Sequence, residues 1–273
     1  TTTPWTIPVN QALAYGPEVE YELVQFWASH DTGKSLDYLD DADLPWLGNS
    51  HPDAWFIVSS NLKSEVSDRL TKLVSEKYSD AGLVIAAVAP EDSWSGKGSE
   101  LAGTKVRHPI YNLLKSRHSR EGGNPASSDG ANDEGQLDPR LRGGDEVEEK
   151  ALAFYETLRP MLPGDFVTTD SGTGLVHMSP DHGEDDFYLC RENGIDPVFA
   201  VDDGGVYRDD WPWLGGDDER RRAVINPKFN APDGPICSDL RDAGALLSAS
   251  ADYKHSYPHS WRSKAKIIYR CTP

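Results

Sequence analysis

Residues 172–187 read GTGLVHMSPDHGEDDF. A Gly-Thr-Gly turn leads into a short apolar run, and Pro180 and Gly183 then interrupt the chain before an acidic stretch. The apolar run is typical of a strand, and the acidic residues favour the first turn of a helix over 184–192. The stretch therefore predicts a strand, a tight loop and a helix in succession, with two histidines and four acidic residues among them.

The side chains of this stretch are compatible with three kinds of site. A metal site would use the ligand-type side chains His177, His182, Asp185 and Asp186. Their spacing matches neither a His-Glu-x-x-His helix nor a paired Cys/His ribbon, which argues against a bound metal. An acid–base site would pair a histidine with a carboxylate, but Ser179 lacks the Gly-x-Ser-x-Gly elbow of a serine nucleophile.

A substrate pocket is the third interpretation. Gly172 and Gly174 would let the backbone approach a ligand closely, and the strand would carry His177 to the pocket wall. An ionised aspartate at the next helix start could hold an ammonium group by a charge-assisted hydrogen bond. The alternative without function is that Asp185 and Asp186 stabilise the helix N-terminus while the histidines hydrogen-bond within a loop. Local features leave these interpretations open.

Short strands and a few helices account for much of the remaining chain. The pattern predicts strands at 19–27, 55–60, 83–88, 166–169, 174–178 and 267–269. It predicts helices at 61–80, 146–158, 184–192 and 236–247, and a turn at 202–205. This mixture is typical of an α+β domain centred on a β-barrel, with peripheral helices and inserted loops, and we expect residues 1–273 to form one such domain.

Two segments resemble insertions into that domain. Residues 28–54 are rich in Asp, Gly, Ser and Pro, which predicts a loop with little regular structure. Residues 115–145 hold almost no large apolar side chains, so they cannot bury enough surface to offset their ordering entropy. We expect this second segment to be a disordered insertion that is tolerated at the surface.

The composition limits what the chain can bind. Its 45 acidic and 27 basic residues give a net charge of −18, which repels phosphate backbones. We therefore expect weak affinity for a whole nucleic acid, although the chain could accept one end that another part of the protein delivers. Its three cysteines are widely spaced, which predicts neither a zinc ribbon nor a disulfide framework and fits a cytoplasmic protein.

The chain shows no membrane or secretion signal. No stretch approaches the roughly 18 apolar residues of a membrane helix, and the start has neither the basic nor the apolar region of a signal peptide. The absence of an initiator methionine suggests part of a longer protein.

The first ten residues, TTTPWTIPVN, supply hydroxyl and amide groups. Three consecutive threonines in an extended strand place hydroxyls on both faces, so at least one faces any pocket beside the strand. A threonine triplet alone is a weak signal, because threonine favours strands generally.

Three segments together form a more specific pattern. They are TTTPWTIPVN at 1–10, GTGLVHMSPDHGEDDF at 172–187 and HSYPHSWR at 255–262. In this order they resemble the editing domain inserted in class I isoleucyl-tRNA synthetases, over nearly the whole chain apart from the two inserted segments. His177 favours the isoleucyl branch, because valyl and leucyl relatives generally carry another residue there. The His-x-Gly-His and Lys-Met-Ser-Lys-Ser motifs of the synthetic body are absent, so the resemblance implies that this chain does not activate amino acids.

The resemblance implies hydrolytic editing of valine attached in error to isoleucine tRNA, and of valyl adenylate. One methylene provides only about 1–3 kcal/mol of discrimination, so a second, smaller pocket is needed to remove valine that the synthetic site accepts. The implied partners are the 3′ CCA end of tRNA(Ile) carrying valine, valyl adenylate and the rest of the synthetase chain. The resemblance implies no cofactor in this domain, since ATP and magnesium serve the synthetic body.

The resemblance also assigns roles to residues. The candidate catalytic residues are Thr2, Thr3, His177 and Asp186. The candidate substrate-binding residues are Thr1, Asn10, Gly172, Thr173, Gly174, His182 and Asp185. In this interpretation the threonines orient water or ribose, His177 helps to reject isoleucine, and Asp186 binds the α-ammonium with Asp185 beside it. No residue is an obvious base for the attacking water.

Other functions stay open at this point. The chain could be the editing domain of a valyl- or leucyl-type synthetase, which His177 argues against. It could be a non-catalytic acidic interaction module, which the threonine triplet, His177 and Asp186 argue against but which only an activity can exclude. A metal-dependent hydrolase is a minor option that chelator sensitivity would reveal.

Overall fold

A computed structural model describes residues 3–39, 44–49, 51–121, 150–208, 210–211, 223–251 and 256–273. The strands are β1 Ala12–Tyr15, β2 Glu20–His30, β3 Phe56–Ser59, β4 Leu83–Val88, β5 Ser95–Lys97, β6 Lys105–Val106, β7 Arg159–Pro163 and β8 Leu175–Met178. The helices are α1 Lys63–Tyr78, α2 Ile110–Glu121, α3 at 150–156, α4 Glu184–Glu192 and α5 Pro235–Asp242. Short 3-10 helices cover Pro4–Val9, Ser60–Leu62 and Gly98–Leu101.

The strands described here form two sheets. In the first sheet the order is β6-β7-β1-β8, with β1 parallel to β7 and antiparallel to β8. In the second sheet β2 pairs antiparallel with β3, β4 and β5. A backbone hydrogen bond of 2.8 Å from Ser59 N to Thr173 O joins the end of β3 to the approach to β8. The segment 98–104 connects β5 to β6, so the sheets adjoin at two places.

Side chains from both sheets meet in one shared core. Its buried members are Tyr15, Tyr21, Leu101 and Met161, and Leu13, Ile57, Val106 and Leu175 pack against them. The predicted α+β class is confirmed. The described strands form two separate sheets that share this cluster, and among the described residues no strand pairing joins the sheets into the expected barrel.

Helix α1 packs on the second sheet through an apolar face. Val66, Leu70 and Val74, spaced four residues apart, are buried in a cluster with side chains of β2, β3 and β4. Burial of each such side chain contributes about 1.5–3 kcal/mol. The helix predicted at 61–80 is therefore confirmed, with its first residues in 3-10 form.

The segment predicted as a loop at 28–54 contributes to this same core. Strand β2 extends through 28–30 because these residues pair with β4, so the predicted loop boundary is wrong at that end. Leu44, Trp46 and Leu47 are buried, and Leu47 forms a bridge to β2. The sequence analysis did not predict that these apolar side chains are buried, because the residues around them are mostly polar. The rest of the described segment is irregular, as expected.

Helix α2 overlaps the segment predicted to be disordered. The backbone of Ile110–Glu121 is helical, so the prediction of disorder is wrong for 115–121. Ile110 and Leu113 are buried and fix the first turns, and a nucleated helix propagates easily into polar sequence. The remainder of that segment, 122–145, lies outside the described residues.

The region between α3 and β8 differs from the prediction. Residues 166–169 form no strand, and Val167 N bonds to Gly164 O in a turn. The strand of this region is β7, which sequence reasoning missed because RPMLP contains two prolines, which are disfavoured in central strands. The helix predicted at 146–158 is helical at 150–156, and its first four residues lie outside the described residues.

The predicted ends of the C-terminal elements also need correction. Helix α5 ends at Asp242 rather than at 247, because Gly244 adopts a left-handed φ of 67° and Ala245 N bonds to Leu240 O, which terminates a helix. Residues 267–269 do not form the predicted strand. Among the described residues, no helix has both the length and the apolar character needed to cross a membrane.

Candidate functional site

The N-terminal segment forms a 3-10 helix rather than the expected extended strand. It covers Pro4–Val9, where two prolines fix φ and lack the amide hydrogen that a strand ladder uses. Thr3 precedes the helix, and its carbonyl accepts hydrogen bonds from Thr6 N at 3.1 Å and Thr6 Oγ1 at 2.8 Å. Thr1 and Thr2, predicted to bind substrate and to take part in catalysis, lie outside the described residues.

Strand β8 brings His177 against this helix. Thr6 Oγ1 lies 2.9 Å from His177 Nε2, and Asn10 Nδ2 lies 3.5 Å from His177 Nδ1. The single hydroxyl proton of Thr6 is donated to Thr3 O, so Thr6 can only accept from His177. The contacts therefore assign the proton to Nε2 and leave Nδ1 to accept from Asn10.

Burial sets the protonation state of this histidine. It lowers the pKa of His177 to about 3, and the nearby His108 and His182 act in the same direction. A cation would also place a second N–H against the Asn10 amide, which is itself a donor. His177 is therefore neutral near pH 7 with both nitrogens engaged, which suits a rigid pocket wall better than a general base.

Asp186 is fixed by α4 and by the loop that precedes it. Its Oδ2 accepts a hydrogen bond of 2.7 Å from Ser179 N, only two residues beyond His177. Burial raises the pKa of Asp186, and the charge of Asp185 raises it further. Gly183 leaves room for this carboxylate, because a Cβ there would lie 2.9 Å from Asp186 Oδ1. A partly buried carboxylate held in this way can form a charge-assisted bond with an ammonium group.

The other two polar side chains of the motif differ in their surroundings. Asp185 is exposed in the first turn of α4. His182 donates from Nδ1 to Tyr269 O at 3.0 Å, and its ring meets the Trp5 ring edge-on at 4.4 Å. Burial lowers the pKa of His182, so its Nε2 is an acceptor. This nitrogen and Trp5 Nε1 are both buried without a hydrogen-bond partner among the described residues.

The Gly-Thr-Gly turn lies at the opposite end of β8, where the two sheets meet. Gly172 and Gly174 have positive φ values of 83° and 80°, and a Cβ on Gly174 would lie 2.6 Å from Ser59 Cβ. Thr173 O accepts from Ser59 N, and Gly174 O accepts from Tyr21 Oη at 2.6 Å. These bonds run to β2 and β3 rather than to His177, so the turn shapes the junction between the sheets.

Sequence reasoning missed two residues that build this site. Thr6 was not singled out, although its three-residue spacing from Thr3 fits one 3-10 turn. Asp181 is buried, and its carboxylate accepts from Val198 N at 2.9 Å and Phe199 N at 2.6 Å. Asp181 therefore connects the loop between β8 and α4 to the segment at 198–199. No local pattern in the sequence predicts this contact.

Two further features bear on the alternatives. Among the residues that the structure describes, no group of three His, Cys, Asp or Glu side chains could hold a metal ion. A groove of about 420 Å³ lies on the second sheet, and its lining includes Glu20, Glu22 and Glu91. No predicted site residue lines that groove.

Comparisons with known proteins extend over the whole chain. Isoleucine–tRNA ligase of Zymomonas mobilis subsp. mobilis is 42% identical over 273 residues, which cover 100% of this chain and 20% of the ligase. The enzyme of the same name from Gluconobacter oxydans is 34% identical over 284 residues, covering 100% of the chain and 21% of the ligase. The isoleucine–tRNA ligase of Idiomarina loihiensis is 31% identical over 273 residues, which cover 100% of this chain and 20% of the ligase. The chain thus spans about a fifth of the length of these relatives.

Two other comparisons add little. No protein-family model matches the chain. Among solved structures, that titled "The crystal structure of GlLeuRS-CP1" has 14% sequence identity and a TM-score of 0.34, covering 89% of this chain and 76% of that one. The sequence matches therefore carry the assignment. The chain is related along its whole length to a segment of the isoleucine–tRNA ligases, which confirms the resemblance that its three motifs indicated.

Proposed function

We propose that this domain edits aminoacyl-tRNA by hydrolysis, removing valine from tRNA(Ile) and cleaving valyl adenylate. The observation that carries the proposal is that Asp186 is fixed by Ser179 N, two residues beyond His177, across one short loop. Burial keeps His177 neutral, and Thr6 and Asn10 hold its ring in place. The likeness to isoleucine–tRNA ligases supports tRNA(Ile) as the RNA. Valine is proposed as the amino acid to be removed because it lacks only one methylene of isoleucine, which a synthetic site discriminates weakly.

His177 would act as the size-selective wall of the pocket. Its ring cannot rotate freely, because Nε2 donates to Thr6 and Nδ1 accepts from Asn10. A fixed wall can admit valine and exclude isoleucine, which is larger by one methylene. Exclusion by a rigid wall discriminates against the larger substrate more strongly than a missing contact discriminates against the smaller one.

Asp186 would hold the α-ammonium group of the substrate. Its ionised carboxylate can form a charge-assisted hydrogen bond with that group, which positions the ester carbonyl beside the wall. A simple ester without an ammonium group would lack this contact. Asp185 is exposed one residue away and would add a weaker electrostatic attraction.

Water would attack the ester carbonyl carbon, and the bond from that carbon to the ribose oxygen would break. The leaving ribose oxygen takes the proton that the attacking water loses and becomes a hydroxyl, and valine leaves as the free acid. We assign the positioning of this water to Thr2, Thr3 and the neighbouring ribose hydroxyl, since His177 is too weak a base. No metal or cofactor takes part in this proposal.

The rest of a synthetase chain would deliver the 3′ CCA end of the tRNA in the cytoplasm. The net charge of −18 opposes tight binding of whole tRNA by this domain alone. We therefore expect the domain to recognise mainly the aminoacylated end.

Deacylation of Val-tRNA(Ile) and Ile-tRNA(Ile) by this chain, with and without a chelator, tests the proposal. We expect faster hydrolysis of the valyl ester and no effect of the chelator. Equal rates for the two esters would contradict the size-selective pocket. Loss of activity in the chelator would instead support the metal-dependent alternative.

A further inference from the structure

Asp181 lies in the loop between β8 and α4 and contacts two other segments of the chain. Its side chain belongs to a residue that is 2% exposed, and its two carboxylate oxygens accept from Val198 N at 2.9 Å and from Phe199 N at 2.6 Å. Its carbonyl oxygen accepts from Cys271 N at 2.9 Å. A carboxylate can be buried this deeply only when hydrogen bonds replace its hydration, and the two amide bonds do so here.

The turn that binds this carboxylate has a strained backbone. Phe199 has a φ of 54°, which lies in the left-handed region that a bulky residue rarely adopts. Such a conformation persists only where its surroundings stabilise it. Consecutive backbone N–H groups directed at one site form a concavity that binds anions, and the Asp181 carboxylate occupies it. The bonds to Asp181 therefore stabilise the left-handed turn.

This turn leads into the core cluster that includes the N-terminal 3-10 helix. Ala200 and Val201, which follow the turn, are buried in that cluster together with Trp5. Trp5 is the neighbour of Thr6, whose Oγ1 lies 2.9 Å from His177 Nε2. The left-handed turn is thus connected by packing to the segment that holds the His177 ring.

Asp181 is also close to the group that fixes Asp186. It lies two residues after Ser179, whose N donates to Asp186 Oδ2 at 2.7 Å. His182 N donates to Ser179 O at 2.9 Å, which closes a tight turn around Asp181. A displacement of the Asp181 carboxylate would therefore displace the Ser179 amide. Asp181 connects the half of the site that contains Asp186 with the half that contains His177.

We propose that Asp181 is a positioning residue that sets the place of the Asp186 carboxylate relative to His177. It contacts no reacting atom, and it acts through Ser179 on one side and through the left-handed turn at Phe199 on the other. The inference rests on the proposed function and adds a determinant of its selectivity. The ammonium contact and the size-selective wall must be correctly spaced to distinguish two side chains that differ by one methylene.

Asp181→Asn tests the proposal in the whole 273-residue chain. Asn keeps one oxygen but replaces the other with an amide donor, which cannot accept from the second backbone N–H. We expect kcat/KM for Val-tRNA(Ile) to fall about tenfold or more, and the ratio of valyl to isoleucyl hydrolysis to fall as well. We also expect a change in the amide proton chemical shift of Ser179, which reports on its hydrogen bond to Asp186. General destabilisation would lower both rates by the same factor and leave the Ser179 shift of the folded molecules unchanged.

A second substitution isolates the contribution of the left-handed turn. Glycine adopts a positive φ without strain, so Phe199→Gly should restore the Ser179 shift and the ratio of rates in the Asp181→Asn chain. Phe199→Ala also removes the ring but remains strained at this φ, and it should restore neither. Asp80→Asn, which removes another buried carboxylate in the region of the second sheet, should leave both readouts at the values of the unaltered chain.

The two readouts distinguish this inference from the proposed function. The Ser179 shift requires no ester, so a shift that depends on Asp181 in a chain that hydrolyses no ester would support the positioning of Asp186 and contradict the proposed function. Selective hydrolysis in which Asp181→Asn changes neither the ratio of rates nor the Ser179 shift would overturn the positioning role. Equal behaviour of the Phe199→Gly and Phe199→Ala chains would contradict the contribution of the left-handed turn.

Discussion

The second sheet with α1 and the first sheet with the N-terminal helix are built on different principles. In the second sheet, β2 pairs with both β3 and β4, and α1 covers these strands with a regular apolar face. In the first sheet, β1 lies between β7 and β8, which follow it by more than a hundred residues. The first arrangement is visible in local sequence, whereas the second depends on contacts that only the folded chain brings together.

The second sheet region also holds a cluster of polar side chains around one carboxylate. Asp80 in the α1 region accepts from Lys34 Nζ at 2.7 Å, Tyr38 Oη at 2.8 Å and His30 Nε2 at 3.0 Å. These contacts lower the pKa of Asp80, while burial and the bond to Asp80 raise the pKa of Tyr38 to about 12. Buried side-chain atoms without partners in the described structure occur in both regions: His182 Nε2 and Trp5 Nε1 near the candidate site, and Ser59 Oγ and His51 Nε2 near the second sheet. Such groups cost about 1–3 kcal/mol each.

The largest expected effect is the loss of activity in Asp186→Asn. The substitution keeps an oxygen for Ser179 N but removes the charge that would hold the ammonium group, so we expect deacylation to fall about a hundredfold or more. Because burial raises the pKa of Asp186, its ionised form costs folding stability above that pKa. Asn should therefore unfold at an equal or higher urea concentration. Rates of Val-tRNA(Ile) deacylation and urea unfolding curves test both parts.

The neighbouring Glu184 provides the matched control for that substitution. It is exposed in the same first turn of α4, so Glu184→Gln removes an equal charge without touching Ser179. We expect its deacylation rate to stay within about threefold of the unaltered chain, because exposed charges interact weakly. Similar losses in both variants would mean that the general acidic field, rather than Asp186, matters.

Leu70→Ala tests the contribution of α1 and the second sheet to stability. Leu70 is 1% exposed at the centre of the α1 face, and truncation should lower the free energy of unfolding by about 2–5 kcal/mol. The site is built on the other sheet, so the molecules that remain folded should keep their ratio of valyl to isoleucyl hydrolysis. Urea unfolding and the two deacylation rates measure these effects, and an altered ratio would show that the regions are coupled.

Acidification should destabilise the site region through its buried histidines. Burial lowers the pKa of His108 to about 4 and that of His177 to about 3, so the unfolded chain binds protons more readily below pH 6.5. Stability is therefore lost as the pH falls below that value, by about 2 kcal/mol for each histidine at pH 5. Urea unfolding at pH 7 and pH 5 measures the loss.

Substituting one histidine at a time distinguishes its contribution to the pH dependence of stability from that of the carboxylates, which also titrate. His108→Gln should show a smaller loss between pH 7 and pH 5, while His259→Gln, at an exposed position, should show the same loss as the unaltered chain. An identical pH dependence in His108→Gln and the unaltered chain would contradict the assigned role of burial.

The smallest expected effect is that of Asp80→Asn. Its carboxylate connects the 30–38 segment to the end of α1 through His30, Lys34 and Tyr38. The substitution should lower the melting temperature less than Leu70→Ala does, because Asn keeps an oxygen that can accept hydrogen bonds and the Lys34 side chain is 55% exposed to water. It should leave deacylation unchanged. Melting followed by circular dichroism tests the order of the two variants, and the reverse order would show that this cluster matters more than the apolar face.

The sequence predicted the elements whose signals are local. The four-residue spacing of Val66, Leu70 and Val74 predicted α1, and the acidic first turn predicted α4. It did not predict β7, because Pro160 and Pro163 resemble loop residues until β1 lies beside them.

The same limit applies to the site. The motif identified His177 and Asp186, but the tautomer of His177 depends on Thr6 and Thr3, which lie some 170 residues away in the sequence. The two prolines that favour the 3-10 helix at Pro4–Val9 were visible in the sequence. The contact between Thr6 and His177 could not be predicted from the sequence, because it depends on the register of β8 against β1.

The most direct test of the account is the ratio of Val-tRNA(Ile) to Ile-tRNA(Ile) deacylation rates in His177→Ala compared with the unaltered chain. If the hydrogen-bonded His177 ring is the wall that rejects isoleucine, its removal should let the larger ester react and bring the ratio towards unity. An unchanged ratio, with both rates preserved, would contradict the role of His177 in selectivity.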